Sequence, residues 1–156
     1  MLSIDIQNHR FQVRAAAVFI EGDFVLLHRL DGDDFWALPG GRVEAGEDGA
    51  STIVREMAEE LGDAVTCGPL LYTVENFFEI AGKAHHEIGL YYRAQLPHDS
   101  RVRDTSVEHA GVEGDKALVF AWFPRHALDA ITLHPSFLKA ALCEEPLAHR
   151  HVIQRD

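Results

Sequence analysis

Basic residues are scarce in this sequence. It holds 14 lysines and arginines against 25 aspartates and glutamates, a formal charge of -11. Binding to extended nucleic acid is not expected on that balance, because a phosphate backbone needs basic patches. A small phosphorylated ligand stays open, since a bound divalent cation inverts the local field. Cysteine is nearly absent: Cys67 and Cys143 stand in no metal or redox pattern and read as two reduced thiols of a cytoplasmic protein. No apolar run approaches the ~18 residues of a membrane span. The opening MLSIDIQNHRF lacks a long apolar core behind a basic start, so no secretory signal is expected. The ten histidines include no HExxH pair, which removes the zinc-protease arrangement. Repeats, low-complexity blocks and a dividing linker are missing too.

What remains suits one domain over residues 1–156, long enough for a hydrophobic core, with 47% apolar and 25% charged residues. FQVRAAAVFI (11–20) and FVLLHRL (24–30) read as a hairpin across the turn EGD. FWALPGG (35–41) is a short apolar segment stopped by Pro39 and two glycines. A helix is expected from about Asp48 to Leu61, with Gly62 as its stop. Residues 65–80 and 85–96 read as strands around the turn AGKA. Residues 97–115 are polar without periodicity and are expected to form a flexible loop. A strand over 116–123, a helical turn over 124–131 and a helix over 135–145 complete the reading, and the tail carries no signal. Few, separated helices among many strands predict an α/β (α+β) sandwich with a mixed sheet.

The helix poses the functional question. At about 100° per residue, Glu56, Glu59 and Glu60 share about a third of its circumference. Ala50, Ile53, Val54, Met57, Ala58 and Leu61 fall on the other side, so an apolar face is expected in the core and an acidic face outside it. Arg55 can pair with Glu59 at i,i+4, which neutralises only part of the charge. The glycines at 40, 41, 46 and 49 let the preceding backbone turn sharply and approach a ligand. Carboxylates and carbonyls gathered this way suit a hard divalent cation.

The segment GRVEAGEDGASTIVREMAEELG (41–62) resembles the Nudix box, G-x5-E-x7-R-E-U-x-E-E-x-G-U with U apolar. Gly41, Glu47, Arg55, Glu56, Met57, Glu59, Glu60 and Gly62 fall on motif positions, and only Asp63 departs from the apolar last place. The resemblance implies an α/β/α sandwich that hydrolyses a nucleoside diphosphate linked to another moiety, with Mg²⁺ or Mn²⁺. The alternatives are a hydrolase of a non-nucleotide diphosphate and a non-catalytic nucleotide-binding domain. By position, Glu56, Glu59 and Glu60 would hold the ion with a carbonyl of Gly40 or Gly41. Arg55 would orient a glutamate, and Glu47 would brace the loop. The general base would be Glu56 or Glu113, the latter in the loop segment GVEGD. Members of this family are often dimers, so a homodimer stays open.

Residues outside the box carry weaker readings. Trp36 is a candidate for stacking on a base, and Arg29 and Arg42, with Arg14 and Arg93, for meeting phosphates. Phe77 and Phe78 read as core, and His85, His86 and Glu87 as ordinary surface at a strand start. The positions beyond the box that distinguish substrate subfamilies hold Phe78 and Ile80, which match no specific substrate.

Overall fold

Alternation along the first long strand lays out the architecture. The computed structural model describes residues 1–156. Strand β1 (Ser3–Ile6) pairs antiparallel with β2 (His9–Val18). Along β2, Ala15 and Ala17 enter one hydrophobic core while Ala16 and Val18 enter another. The chain continues through Phe19 into β3 (Ile20–Glu21) and returns as β4 (Phe24–Leu30), whose Leu26 joins the first core and Val25 and Leu27 the second. Both strands thus separate two apolar layers, as the pleat requires.

The remaining strands are β5 (Gly40–Arg42), β6 (Thr66–Ile80), β7 (Lys83–Gln95), β8 (His109–Glu113), β9 (Lys116–Pro124) and β10 (Arg150–Arg155). One sheet runs β1-β2-β7-β6-β10 with β5 also on β2, and the other runs β3-β4-β9-β8. The β2–β7 and β6–β10 pairs are parallel and the rest antiparallel, so the first sheet is mixed. Helix α1 (Gly49–Leu61) covers the first core through Ile53 and Met57. A 3-10 segment (Arg125–Ala130) and the short α2 (Leu138–Ala141) cover the second through Leu128, Leu138 and Ala141. The result is an α/β/α sandwich. No helix is long and apolar enough to cross a membrane.

Five local expectations are corrected. The arm read as 11–20 is divided at Phe19: β2 belongs to the mixed sheet, and only Ile20 and Glu21 pair with β4. Residues 97–115 are not one loop: Arg101–Arg103 form a 3-10 turn and His109–Glu113 form β8. The uninformative tail supplies β10, and the helix over 135–145 is limited to α2. Val54, placed on the core side, is 41% exposed, and Glu60 takes part in the buried face instead.

Helix α1 begins and ends where its sequence directs. The Asp48 carboxylate accepts from Ser51 N–H (2.7 Å) as the N-cap. Gly62, at φ 76°, takes the left-handed conformation that ends the helix and donates to Ala58 O (3.0 Å). Asp48→Ala is expected to cost about 1 kcal/mol and to lower Tm by about 2–4 °C. A thermal melt checks this, and turnover should survive, since Asp48 only starts the helix.

Candidate active site

Arg55 organises the start of the site. Its Nε and Nη2 donate to the two oxygens of Glu47 (2.9 and 3.0 Å), a bidentate charge-assisted pair. Nη2 also reaches the Arg42 carbonyl (3.2 Å), and Nη1 donates to Glu56 Oε1 (2.9 Å). Thr52 Oγ1 donates to Glu47 Oε1 (2.6 Å). The Arg55 guanidinium, aided by Thr52 and the Glu44 N–H, holds the Glu47 carboxyl down at about 2. The reciprocal bond to Glu47 pushes Arg55 further above its already high value. Glu47 and Arg55 therefore tie the glycine loop, β5 and α1 together.

The three glutamates of the acidic face have different surroundings. Glu59 is the exposed one, its side chain 60% accessible and touched only by Arg55 Nη1 at 3.4–3.5 Å. Glu56 is half-buried against Gly41: a Cβ added to that glycine would lie 2.2 Å from its carboxyl carbon. Burial pushes Glu56 up, opposed by its bond to Arg55. Glu60 is 3% exposed, and neither of its carboxyl oxygens has a hydrogen-bond partner. Burial, reinforced by the charge of Glu56, pushes it up to about 9.

Two neighbours enclose Glu60. His28 Nδ1 lies 3.9 Å from Oε2, too far for a hydrogen bond. Burial, with the nearby charge of Arg14, lowers His28 to about 3, so this contact joins a neutral imidazole to a buried acid and is not an ion pair. On the other side β8 passes so close that a Cβ on Gly111 would lie 2.8 Å from the Glu60 carbonyl. Glu113, expected in a loop, is the last residue of β8, and its charge reaches Glu60.

This arrangement of one buried, one bridged and one exposed glutamate behind a glycine turn lies within a region, residues 10–142, that matches the NUDIX domain family. The chain belongs to the Nudix family. It is 33% identical over 134 residues to the 8-oxo-dGTP diphosphatase of Haemophilus influenzae, covering 81% of this chain and 87% of that protein. It resembles the MutT Nudix hydrolase of Burkholderia pseudomallei with a TM-score of 0.63 and 25% identity, over 83% of this chain and 95% of that one. The ADP-ribose pyrophosphatase of Streptococcus suis shares the fold, with a TM-score of 0.62 and 16% identity over 92% and 98% of the two chains. The chain is a MutT-like Nudix pyrophosphohydrolase.

Nudix hydrolases generally use divalent metal ions, and the donors here suit one. Glu60 offers two unpartnered oxygens in a buried setting, and Gly41 leaves room for the Glu56 carboxyl where any side chain would intrude. No three acidic or imidazole groups converge as the side chains stand, because Arg55 holds Glu59 and Glu56 towards itself.

Other Nudix candidates lie elsewhere. His28 and Arg29 are successive on β4 and face opposite sides, so Arg29 sits over Trp36 (5.0 Å to the ring centroid) and donates to the Asp33 carbonyl, away from Glu60. Trp36 also packs edge-on to Phe123 (4.8 Å), which makes it part of the second core's margin. Arg42 contacts Met1 Sδ. Phe77 and Phe78 are half-buried rather than core, the first beneath Arg155 and the second stacked on His85. Glu87, read as surface, is 4% exposed. Arg14 is the basic side chain next to the acids: it donates to the Leu38 carbonyl (2.9 Å), and its charge is felt by His28, Glu56 and Glu60. His28 carried no sequence signal, because the run FVLLHRL reads it as one more core position.

Proposed function

We propose that this Nudix enzyme hydrolyses the P–O–P bridge of a nucleoside diphosphate linked to another moiety, with Mg²⁺ or Mn²⁺ as its cofactor. The observation that carries the reading is Glu60, a buried carboxyl with two free oxygens beside Glu56. A group so placed is costly without a positive partner. Glu56, Glu60 and a carbonyl of Gly40 or Gly41 would hold the ion, and Glu59, held by long contacts alone, completes the set. When bound, the ion neutralises charge on the phosphates and acidifies the attacking water. The curated relative's action on 8-oxo-dGTP supports a nucleotide substrate.

The chain's own residues do the rest. Arg55 and Glu47 fix the glycine turn on the helix. Arg14 puts a positive charge where the phosphates lie. Glu56 is bonded to Arg55, whereas Glu113 is exposed and near Glu60, so Glu113 serves as the general base. It takes the proton of the water that attacks one phosphorus. The bridging P–O bond breaks, giving a nucleoside monophosphate and the phosphorylated remainder. Glu113→Gln is therefore expected to lower kcat by about 10²–10³-fold with KM little changed. Steady-state kinetics on the folded variant checks it, and an unchanged kcat returns the role to Glu56.

The test of the function is product release across a panel, with Mg²⁺ and Mn²⁺ titrated separately. The panel contains nucleoside triphosphates (oxidised ones included), ADP-ribose, dinucleotide polyphosphates, NADH, nucleotide sugars and non-nucleotide diphosphates. Metal-dependent release of a nucleoside monophosphate supports the reading. Turnover confined to non-nucleotide diphosphates, or tight binding without turnover, overturns it.

A further inference from the structure

Arg93, one of the arginines the sequence offers to phosphates, lies away from the box. β2 pairs with β7 in the rows Arg14–Gly89, Ala16–Tyr91 and Val18–Arg93, and the pairing ends there. The first and last of these rows are about 13 Å apart along the strands, and Ala16 and Tyr91 of the second core lie between them. Register partners share a face. Arg93 therefore stands with Val18 on the second-core side, whereas α1 covers the first core.

Beyond that row the two sheets part. The chain leaves β2 through Phe19 and joins β4 as β3, while β7 runs on to Gln95 without a neighbour on that side. A pocket of about 170 Å³ lies in this fork, lined by residues 19–21 and 93–96 and by Arg103 of the 3-10 turn. Its two arginines are held differently. Arg103 pairs with Glu21 (3.1 Å) and donates to the Leu96 carbonyl (3.3 Å). Arg93 enters no ion pair, and its Nε is buried with no hydrogen-bond partner. A guanidinium has five N–H donors and keeps its charge, so Arg93 brings unpaired donors to the pocket. Glu21 offsets one of the two arginines, which leaves the pocket locally positive in a chain of formal charge -11.

We propose that this pocket is an oxyanion site for a phosphate group, separate from the box. Arg93 meets two oxygens of the phosphate with its planar fork, which a lysine cannot do. Arg103, kept in position by Glu21, adds charge. An occupant joins the end of β7 to the crossover into β3 and to the 3-10 turn, so binding stabilises the fold. Free phosphate would sit wholly inside the pocket, whereas a nucleoside monophosphate would place only its phosphoryl group there. The inference holds whichever compound the box hydrolyses.

The experiment is a thermal melt of the natural chain titrated with sodium phosphate, with ionic strength held by chloride. No metal is added, so the box acids repel the anion. Tm should rise and saturate, by about 3–6 °C at ten times the half-saturating concentration. Arg93→Gln should lose the rise. Arg93→Lys keeps the charge without the fork and should need several-fold more phosphate. Arg14→Gln, beside the box acids, should keep the rise. A parallel titration with AMP separates the sources. A rise with both ligands, lost in Arg93→Gln, assigns the site to phosphoryl groups in general, and a rise with phosphate alone assigns it to the free anion. No rise beyond the chloride control overturns the inference, as does a rise that survives in Arg93→Gln or disappears in Arg14→Gln. Should Arg93→Gln not fold, Arg93→Lys carries the test, and an unchanged half-saturating concentration in it overturns the inference.

Discussion

Glu60→Gln is expected to remove nearly all turnover while making the protein more stable in EDTA. A bound ion supplies several kcal/mol of charge stabilisation, and each ~1.4 kcal/mol is tenfold in rate, so kcat should fall about 10³-fold. The stability effect has a defined pH window. Glu60 ordinarily loses its proton near 4.5, but in the fold it keeps it up to about 9. Between those values the folded chain binds a proton that the unfolded chain has released. Stability from this group is complete below 4.5 and declines as pH rises towards 9. Melting curves in EDTA from pH 5 to 9 should slope downwards for the natural chain and be flatter for the variant. Added Mg²⁺ should raise Tm at pH 8 in the natural chain alone. A variant that keeps its turnover, or keeps the slope, would remove Glu60 from the centre of the site.

Gly41→Ala should disable the enzyme through Glu56 without unfolding it. The new Cβ would lie 2.2 Å from the Glu56 carboxyl carbon and 2.3 Å from Oε1. That carboxyl is the end of a flexible side chain, so it can yield, but it cannot then remain beside Gly41. Displacing a catalytic group by about 1 Å can cost ~10²-fold in rate, and kcat/KM should fall by about that much with Tm little changed. The neighbouring glycine separates the two kinds of damage. A Cβ on Gly40 would lie 2.1 Å from the Ala15 carbonyl oxygen, which is backbone in β2. Nothing there can rotate away, so Gly40→Ala should lower stability itself, by about 1–3 kcal/mol. Finding the larger melting effect in Gly41→Ala would contradict this division.

Much of the helix was legible in the sequence because its signals are local. Asp48 as cap, Gly62 as stop and the spacing of Ile53 and Met57 are properties of neighbours in the chain. The depth of Glu60 is not. It follows from His28 on β4 and Gly111 on β8, which the helix sequence does not encode. Periodicity gives three glutamates a common side, and only the packed sheets make one buried and another exposed. Val54 was misplaced for the same reason, since an apolar residue at the edge of a face goes outward when no strand covers it. Strand β8 escaped notice because HAGVE alternates weakly, and β10 because RHVIQR is polar on an edge. The break at Phe19 lies inside an unbroken apolar run, so no composition change announces it.

The parallel pairing of β2 with β7 also governs how the site comes into being. Gln12 and Glu87 are 75 residues apart in sequence yet adjacent in space. Hairpins such as β6–β7 and β8–β9 can close early and locally, whereas joining β2 to β7 means closing a long loop and losing its entropy before the contacts repay it. The segment that carries Gln12 and Arg14 also continues into the second sheet at β3. Neither sheet can be completed until this one stretch of chain is fixed in both. The box helix has its own start and stop signals, but Glu60 acquires its buried neighbours only when β4 and β8 of the second sheet pack against it.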